Sequence, residues 1–150
     1  MPQSLCRLLS HLVFSTKGRE PWITPAFRDE LHAYLGGVLK NIDCVPIRVG
    51  GVADHVHLFF GMNRTMSVAQ VVEKLKTSSS KWIKEQGPDF ASFHWQNGYG
   101  VFSVSQSDAE AVENYVRNQE AHHRKMTFQE EYRRLLERYR VDYDERYVWD

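Results

Sequence analysis

Apolar positions along the chain fall into two rhythms, one of period two and one of three to four residues, and the points where they change divide it into elements. Residues 5–16 (LCRLLSHLVFST) are rich in apolar and β-favouring types and stop at Lys17-Gly18, which predicts a first strand. Thr24-Pro25 then opens a helix, with Thr as N-cap and Pro in the first turn, carried on by Phe27, Leu31, Tyr34, Leu35 and Leu39. Residues 44–52 and 55–62 predict two further strands joined by a short turn at Ala53-Asp54, with Pro46 implying an edge or an irregular start. Ser67 and Gln70 form a capping box ahead of a second helix, which runs through Val68, Val71, Val72 and Leu75 and stops at Gly87-Pro88. A loop containing His94 and Trp95 leads to a fourth strand over 98–105. A second box, Ser107 to Glu110, starts a helix through Val112, Tyr115 and Val116 to about Lys125, and a third, Thr127 to Glu130, starts the last helix. The order β-α-β-β-α-β followed by helices predicts an α+β fold: a ferredoxin-like split βαβ with an antiparallel four-stranded sheet and C-terminal helices.

Composition narrows this without redirecting it. A length of 150 residues, 42% hydrophobic and 25% charged, suits one globular domain over residues 1–150. No apolar run approaches the roughly 20 residues that span a bilayer, and the N-terminal segment lacks the long apolar core of a secretory signal. Cys6 and Cys44 stand far apart in no ligand-like grouping, which predicts reduced, buried thiols in a cytoplasmic protein. With 19 basic and 19 acidic residues the net charge is zero, so a nucleic-acid site would have to be a local patch. Residues 62–84 offer one, with Arg64, Lys74, Lys76, Lys81 and Lys84 against Glu73; a solvated helix face reads the same way.

Two groupings carry candidate chemistry. His55 and His57 are two apart on a predicted strand, so their imidazoles share a face and can grip one metal ion. On its own H-x-H fits hydrogen-bonded strand histidines better than ligation. Tyr115 and Gln119 stand four apart on a predicted helix, roughly 40° apart around its axis, and His122 continues that face. A phenol becomes a competent nucleophile when a metal and a base assist it, and Gln119 can add a neutral oxygen to the two imidazoles. A tyrosine packed at half burial with a solvated glutamine is the competing reading. His122 and His123 are candidates to assist proton transfer or bind DNA, but read better as polar residues favoured near a helix C-terminus.

The D-H-V-H-L strand, the S-x-x-Q-x-V-x-x-x-K helix, W-Q-N-G-Y before the fourth strand, and Y-V-x-N-Q-x-x-H-H followed by T-F-x-x-E-Y together resemble the HUH single-tyrosine transposases. That family includes single-strand insertion-sequence transposases and REP-associated tyrosine transposases, and the likeness runs from HLVFSTKGR at residues 11–19 to the last helix. It implies a metal-dependent strand transferase and endonuclease acting on single-stranded DNA hairpins. Tyr115 matches the nucleophile, which would form a 5′-phosphotyrosine link, while His55, His57 and Gln119 match the ligands of Mg²⁺ or Mn²⁺. It also implies a homodimer, in which the tyrosine helix can serve its own or the partner's histidines. Lys17 and Arg19 after the first strand, with Lys74, Lys76 and Lys81 on the second helix, are the candidate DNA contacts. Trp95 and Tyr99 are candidates to stack on bases or to pack in the core. The alternatives are a catalytically inactive or domesticated DNA-binding module of the same fold and a hydrolase of small phosphoesters.

Overall fold

The computed structural model of the chain describes residues 2–150. Four strands, β1 (Leu9–Ser15), β2 (Val45–Val52), β3 (His55–Gly61) and β4 (Gly100–Ser103), form one sheet in the order β2-β3-β1-β4. Each neighbouring pair is antiparallel. Helices α1 (Arg28–Asn41) and α2 (Val68–Lys84) make the two crossovers expected of a split βαβ. Three more, α3 (Ala109–Arg117), α4 (Gln119–His122) and α5 (Phe128–Arg138), follow β4.

Strand alternation divides these helices between the two faces of the sheet. Leu12 and Phe14 of β1 and Val56, Leu58 and Phe60 of β3 point to one side, where they pack with Leu31, Leu35 and Leu39 of α1 and Val71, Val72 and Leu75 of α2. Leu9, Val13 and Phe59 point to the other, against Val116 of α3 and against Phe128, Tyr132, Leu135 and Leu136 of α5. Both central strands are therefore covered twice. His11, His55 and His57 lie in this second set of strand positions, under the C-terminal helices.

The element order is as the sequence predicts, and the boundaries differ for local reasons. β1 starts at Leu9, where the ladder to β3 begins. Leu5 and Leu8 before it are exposed, although the Leu8 carbonyl still accepts from the Met62 amide, and Cys6 between them is exposed rather than buried as expected, unlike Cys44. α1 starts at Arg28, because the Thr24 carbonyl closes a separate turn by accepting from the amides of Phe27 and Arg28, and Thr24 caps nothing through its side chain. The Ser67–Gln70 capping box forms as predicted. The Ser107–Glu110 box does not, as Ser107 hydrogen-bonds Ser105 across a 3₁₀ turn and α3 begins after Asp108. Thr127 caps α5 by accepting from the Glu130 amide at 3.2 Å. The single helix predicted to about Lys125 is broken at Asn118 (φ −96°, ψ 22°) into α3 and α4. Beyond α5 the aromatic C-terminus is ordered, with Tyr143, Val148 and Trp149 packed on the α5 cluster. Among the described residues no helix is long and apolar enough to cross a membrane.

Candidate active site

β3 supplies the base of the site. His55 and His57 are fully buried on the face under α3–α5, and each turns its Nε2 toward the same space. Each ring is held from behind through Nδ1. That of His55 donates to Asp54 Oδ1 at 2.7 Å, and that of His57 lies 2.8 Å from Nε2 of His11 on the neighbouring strand. Anchoring one nitrogen fixes the tautomer and direction of the other, which is the usual arrangement around a metal-ligating histidine. Burial alone would discharge His55, but the hydrogen bonds to Asp54 and Glu131 prevail and raise its pKa to about 9. His11 has no such carboxylate partner: burial, reinforced by His57, lowers it to about 3. His57 is lowered too, with burial the larger cause and Glu131 opposing it.

The C-terminal helices close over these rings. Gln119 survives the break at Asn118 on the inner face, 1% exposed, with Oε1 3.1 Å from His55 Nε2. His123, just past α4, donates from Nδ1 to the Met126 carbonyl at 2.9 Å, and its Nε2 lies 3.1 Å from Gln119 Oε1. Glu131, at a core-facing position of α5 and 1% exposed, brings Oε1 to 2.9 Å from His57 Nε2, 3.0 Å from His123 Nε2 and 3.3 Å from His55 Nε2. Ligand atoms of His55, His57, His123 and Glu131 all lie within 4.8 Å of one another. Burial would push the Glu131 carboxyl upward, but the three surrounding imidazoles hold it far below the usual carboxylate range.

Tyr115 completes the constellation. Its hydroxyl donates to Glu131 Oε2, which also accepts from Gln119 Nε2 at 3.0 Å. The ring meets His57 edge-on at 5.8 Å between centroids and lies at a tilt against His122 at 4.7 Å. Burial, then the adjacent carboxylate, raises its pKa well above that of a free phenol. One side of the ring opens into a cleft of about 290 Å³ lined by His122, Arg134 and Arg138. Within the chain, α3 and α4 set Tyr115 and Gln119 over His55 and His57.

The predicted His55, His57, Gln119 and Tyr115 are thus brought together. The sequence reading missed His11, Glu131 and the part played by His123. His123 is no bystander favoured by a helix dipole, because it bonds inward to Glu131 and Gln119. Glu131 left a readable trace: Phe128, Glu131, Tyr132 and Leu135 fall at i, i+3, i+4 and i+7, so a carboxylate interrupts the apolar stripe of α5.

The candidate DNA contacts are dispersed. Lys17 is exposed in the 3₁₀ turn after β1. Arg19 donates to the Trp149 carbonyl at 3.0 Å, yet it also lines an open groove of about 800 Å³ with His123, Arg124 and Lys125. Lys74 and Lys81 are exposed on α2, across the sheet from Tyr115. Lys76 is committed within the fold, its ammonium donating to the carbonyls of Gln96, Asn97 and Gly98, and burial lowers its pKa to about 8. Trp95 is core, donating to Ser79 Oγ at 2.9 Å, whereas Tyr99 stays exposed beneath Lys76.

The family described as "Transposase IS200 like" matches residues 4–119. The chain belongs to that family. Its curated relatives include the transposases of insertion sequence element IS200 from Salmonella typhimurium and Salmonella typhi, each 28% identical over 118 residues, covering 73% of this chain and 74% of the relative. Among solved structures, a candidate transposase from Deinococcus radiodurans superposes with a TM-score of 0.62 at 22% identity, over 79% of this chain and 98% of its own. A REP-associated tyrosine transposase bound to a REP hairpin superposes with a TM-score of 0.60 at 9% identity, over 82% and 73%. These two likenesses establish the fold. The family match ends at Gln119, so His123, Glu131 and α5 lie beyond the matched segment.

Proposed function

We propose that this IS200-like transposase cleaves and rejoins single-stranded DNA hairpins through a 5′-phosphotyrosine intermediate on Tyr115. The observation that carries the reading is that the phenol and three imidazoles converge on one buried carboxylate, Glu131. A tyrosine kept for packing gains nothing from a buried acidic partner ringed by inward-turned nitrogens. The REP hairpin bound by the structural neighbour supports the substrate class.

The donor set fits a divalent ion. His55, His57 and His123 would offer nitrogen and Gln119 and Glu131 oxygen, with every Nδ1 already engaged. Such a mixed set suits Mn²⁺ better than Mg²⁺, which prefers oxygen and water, and spacing alone could not have revealed that. When bound, the ion would polarise the scissile phosphate and stabilise the leaving oxygen. The chain's own residues do the rest. Asp54 and His11 orient the β3 imidazoles, Gln119 braces Glu131, and Tyr115 Oη attacks phosphorus, releasing a 3′-hydroxyl that can later attack the tyrosyl ester and rejoin strands without an external energy source. Arg19 lines the groove that reaches His123 and, with Lys17 two residues before it, joins the proposed DNA path, while Lys74, Lys76 and Lys81 would contact only DNA that continues around the sheet. A cytoplasmic homodimer is the proposed working form.

Incubation with a single-stranded hairpin oligonucleotide and Mn²⁺ is expected to give a covalent protein–DNA adduct that withstands denaturation and is absent from Tyr115→Phe. An adduct undiminished in that variant removes Tyr115 as nucleophile. Hairpin binding without any adduct would instead mark a DNA-binding module.

A further inference from the structure

Resting on that reading, we propose that Arg134 is a catalytic residue of the transferase: its guanidinium binds the non-bridging oxygens of the scissile phosphate and stabilises their charge as Tyr115 attacks. The family match, which ends at Gln119, does not reach it.

Position singles this arginine out. The cleft of about 290 Å³ beside Tyr115 has apolar walls in Met126 and Leu135 and two exposed cations, Arg134 and Arg138, at its rim. Glu131, which meets the phenol oxygen, lines the same cleft, so the hydroxyl end of Tyr115 opens into it. That space is roughly ten times the ~30 Å³ that a water molecule occupies in the liquid, enough to admit a phosphodiester. Along α5, Arg134 stands three residues beyond Glu131, about 4.5 Å on, and Arg138 seven, about 10.5 Å on. The nearer guanidinium is the one within reach of a phosphate bonded to Tyr115 Oη, and the farther one suits a neighbouring phosphate of the strand.

Nothing else in the fold engages Arg134. Arg133, one residue earlier, pairs with Glu145 and lies over the Trp149 ring at 5.0 Å. Arg134 has no ion pair or side-chain hydrogen bond among the described residues, although Glu131 is one turn away. An exposed, unpaired cation beside a nucleophile contributes little to folding and suits an anion that arrives with the substrate.

The chemistry calls for such a group. As the Oη–P bond forms and the P–O3′ bond breaks, the phenol proton passes to water and the departing 3′ oxygen takes one from water, so the net change is one proton from phenol to 3′-hydroxyl. Negative charge meanwhile rests on the two non-bridging oxygens. A guanidinium is planar, offers five N–H donors that match two phosphate oxygens at once, and stays protonated throughout. Arg134 therefore neither gives nor takes a proton, and it serves rejoining as it serves cleavage, since the two run through the same charge distribution in opposite directions.

Adduct formation tests this at saturating hairpin oligonucleotide and Mn²⁺, with the scissile link made either as a phosphodiester or as an uncharged methylphosphonate. On the phosphodiester, Arg134→Ala is expected to be slower than the wild-type chain by about 10²–10³-fold. Its melting temperature should not move, because the side chain is exposed. On the methylphosphonate, which lacks the charge to be stabilised, the difference is expected to shrink to about tenfold or less. Should the wild-type chain leave the methylphosphonate uncut, added guanidinium ion supplies the same test, and it is expected to speed Arg134→Ala on the phosphodiester but not Tyr115→Phe. Arg138→Ala is expected to lose less than Arg134→Ala. A wild-type rate in Arg134→Ala, an equal deficit on the two linkages, no response to guanidinium, or a larger deficit in Arg138→Ala overturns the assignment. Failure of the wild-type chain to form any adduct on the phosphodiester overturns instead the strand-transfer reading on which it rests.

Discussion

His32 on α1 takes no part in the tyrosine site, and its chemistry is correspondingly simple. Its Nε2 is buried with no hydrogen-bond partner, and burial, with Arg28 nearby, lowers its pKa from 6.5 to about 4. The folded state therefore prefers the neutral ring. That preference contributes fully above pH 6.5 and is lost as pH falls toward 4, where protonation drives the ring toward solvent. The loss should amount to about 2–3 kcal/mol. Urea melts between pH 7 and 4 are expected to show it, and His32→Phe should flatten part of that slope; a variant that loses stability with acid as steeply as the parent would assign the slope to other groups. At the tyrosine site residues were legible to differing degrees. His55, His57, Tyr115 and Gln119 could be read because their spacing is local, two and four positions along one element. His11, His123 and Glu131 join them only through the sheet register and the packing of α5, and a pair such as His11 and His57, 46 positions apart, leaves no local pattern.

Among the elements, α3 depends on one glycine of β2. A Cβ built at Gly50 would lie 2.1 Å from the Val116 carbonyl oxygen, so the helix backbone rests directly on the strand. Val116 follows Tyr115, and any side chain at position 50 must push the tyrosine away from Glu131. Gly50→Ala is expected to lower the adduct rate by about 10²-fold, on the scale of a 1 Å misplacement of a reacting group. Its melting temperature should change far less than its rate, since α1, α2 and their side of the core remain intact. Equal loss of both would show instead that the α3 contact holds the fold. Periodicity made the elements themselves legible, because α1, α2 and the strands must bury continuous apolar faces. Their ends were less so: the Ser107 box fails because neighbouring Ser105 and Asp108 offer that hydroxyl and its turn a closer set of partners. Nor could sequence say which sheet face α5 covers, as its stripe of Phe128, Tyr132, Leu135 and Leu136 would suit any apolar surface.

For the whole molecule, zero net charge means that the proposed DNA substrate would be drawn by an arrangement of charge rather than by its sum. Two arrangements compete, on opposite sides of the sheet. Around the site stand Arg19, Arg124 and Lys125 in one groove and Arg134 and Arg138 in the Tyr115 cleft. Across the sheet, Lys76, Lys81 and Lys84 of α2 line an open groove of about 700 Å³. The first arrangement sits where the chemistry is, and its cleft arginines are exposed with no ion-pair partner among the described residues, whereas Lys76 is spent on backbone carbonyls. A phosphate lying over Tyr115 would meet Arg134 and Arg138, so their replacement should reduce counterion release on binding. Hairpin affinity measured against salt is expected to lose about 0.7 from its logarithmic slope for each of Arg134→Gln and Arg138→Gln. Lys74→Gln and Lys81→Gln should change it less. A slope altered by the α2 pair and untouched by the arginines would move the DNA path across the sheet, and the strand would then have to bend around the β4 edge to reach the tyrosine.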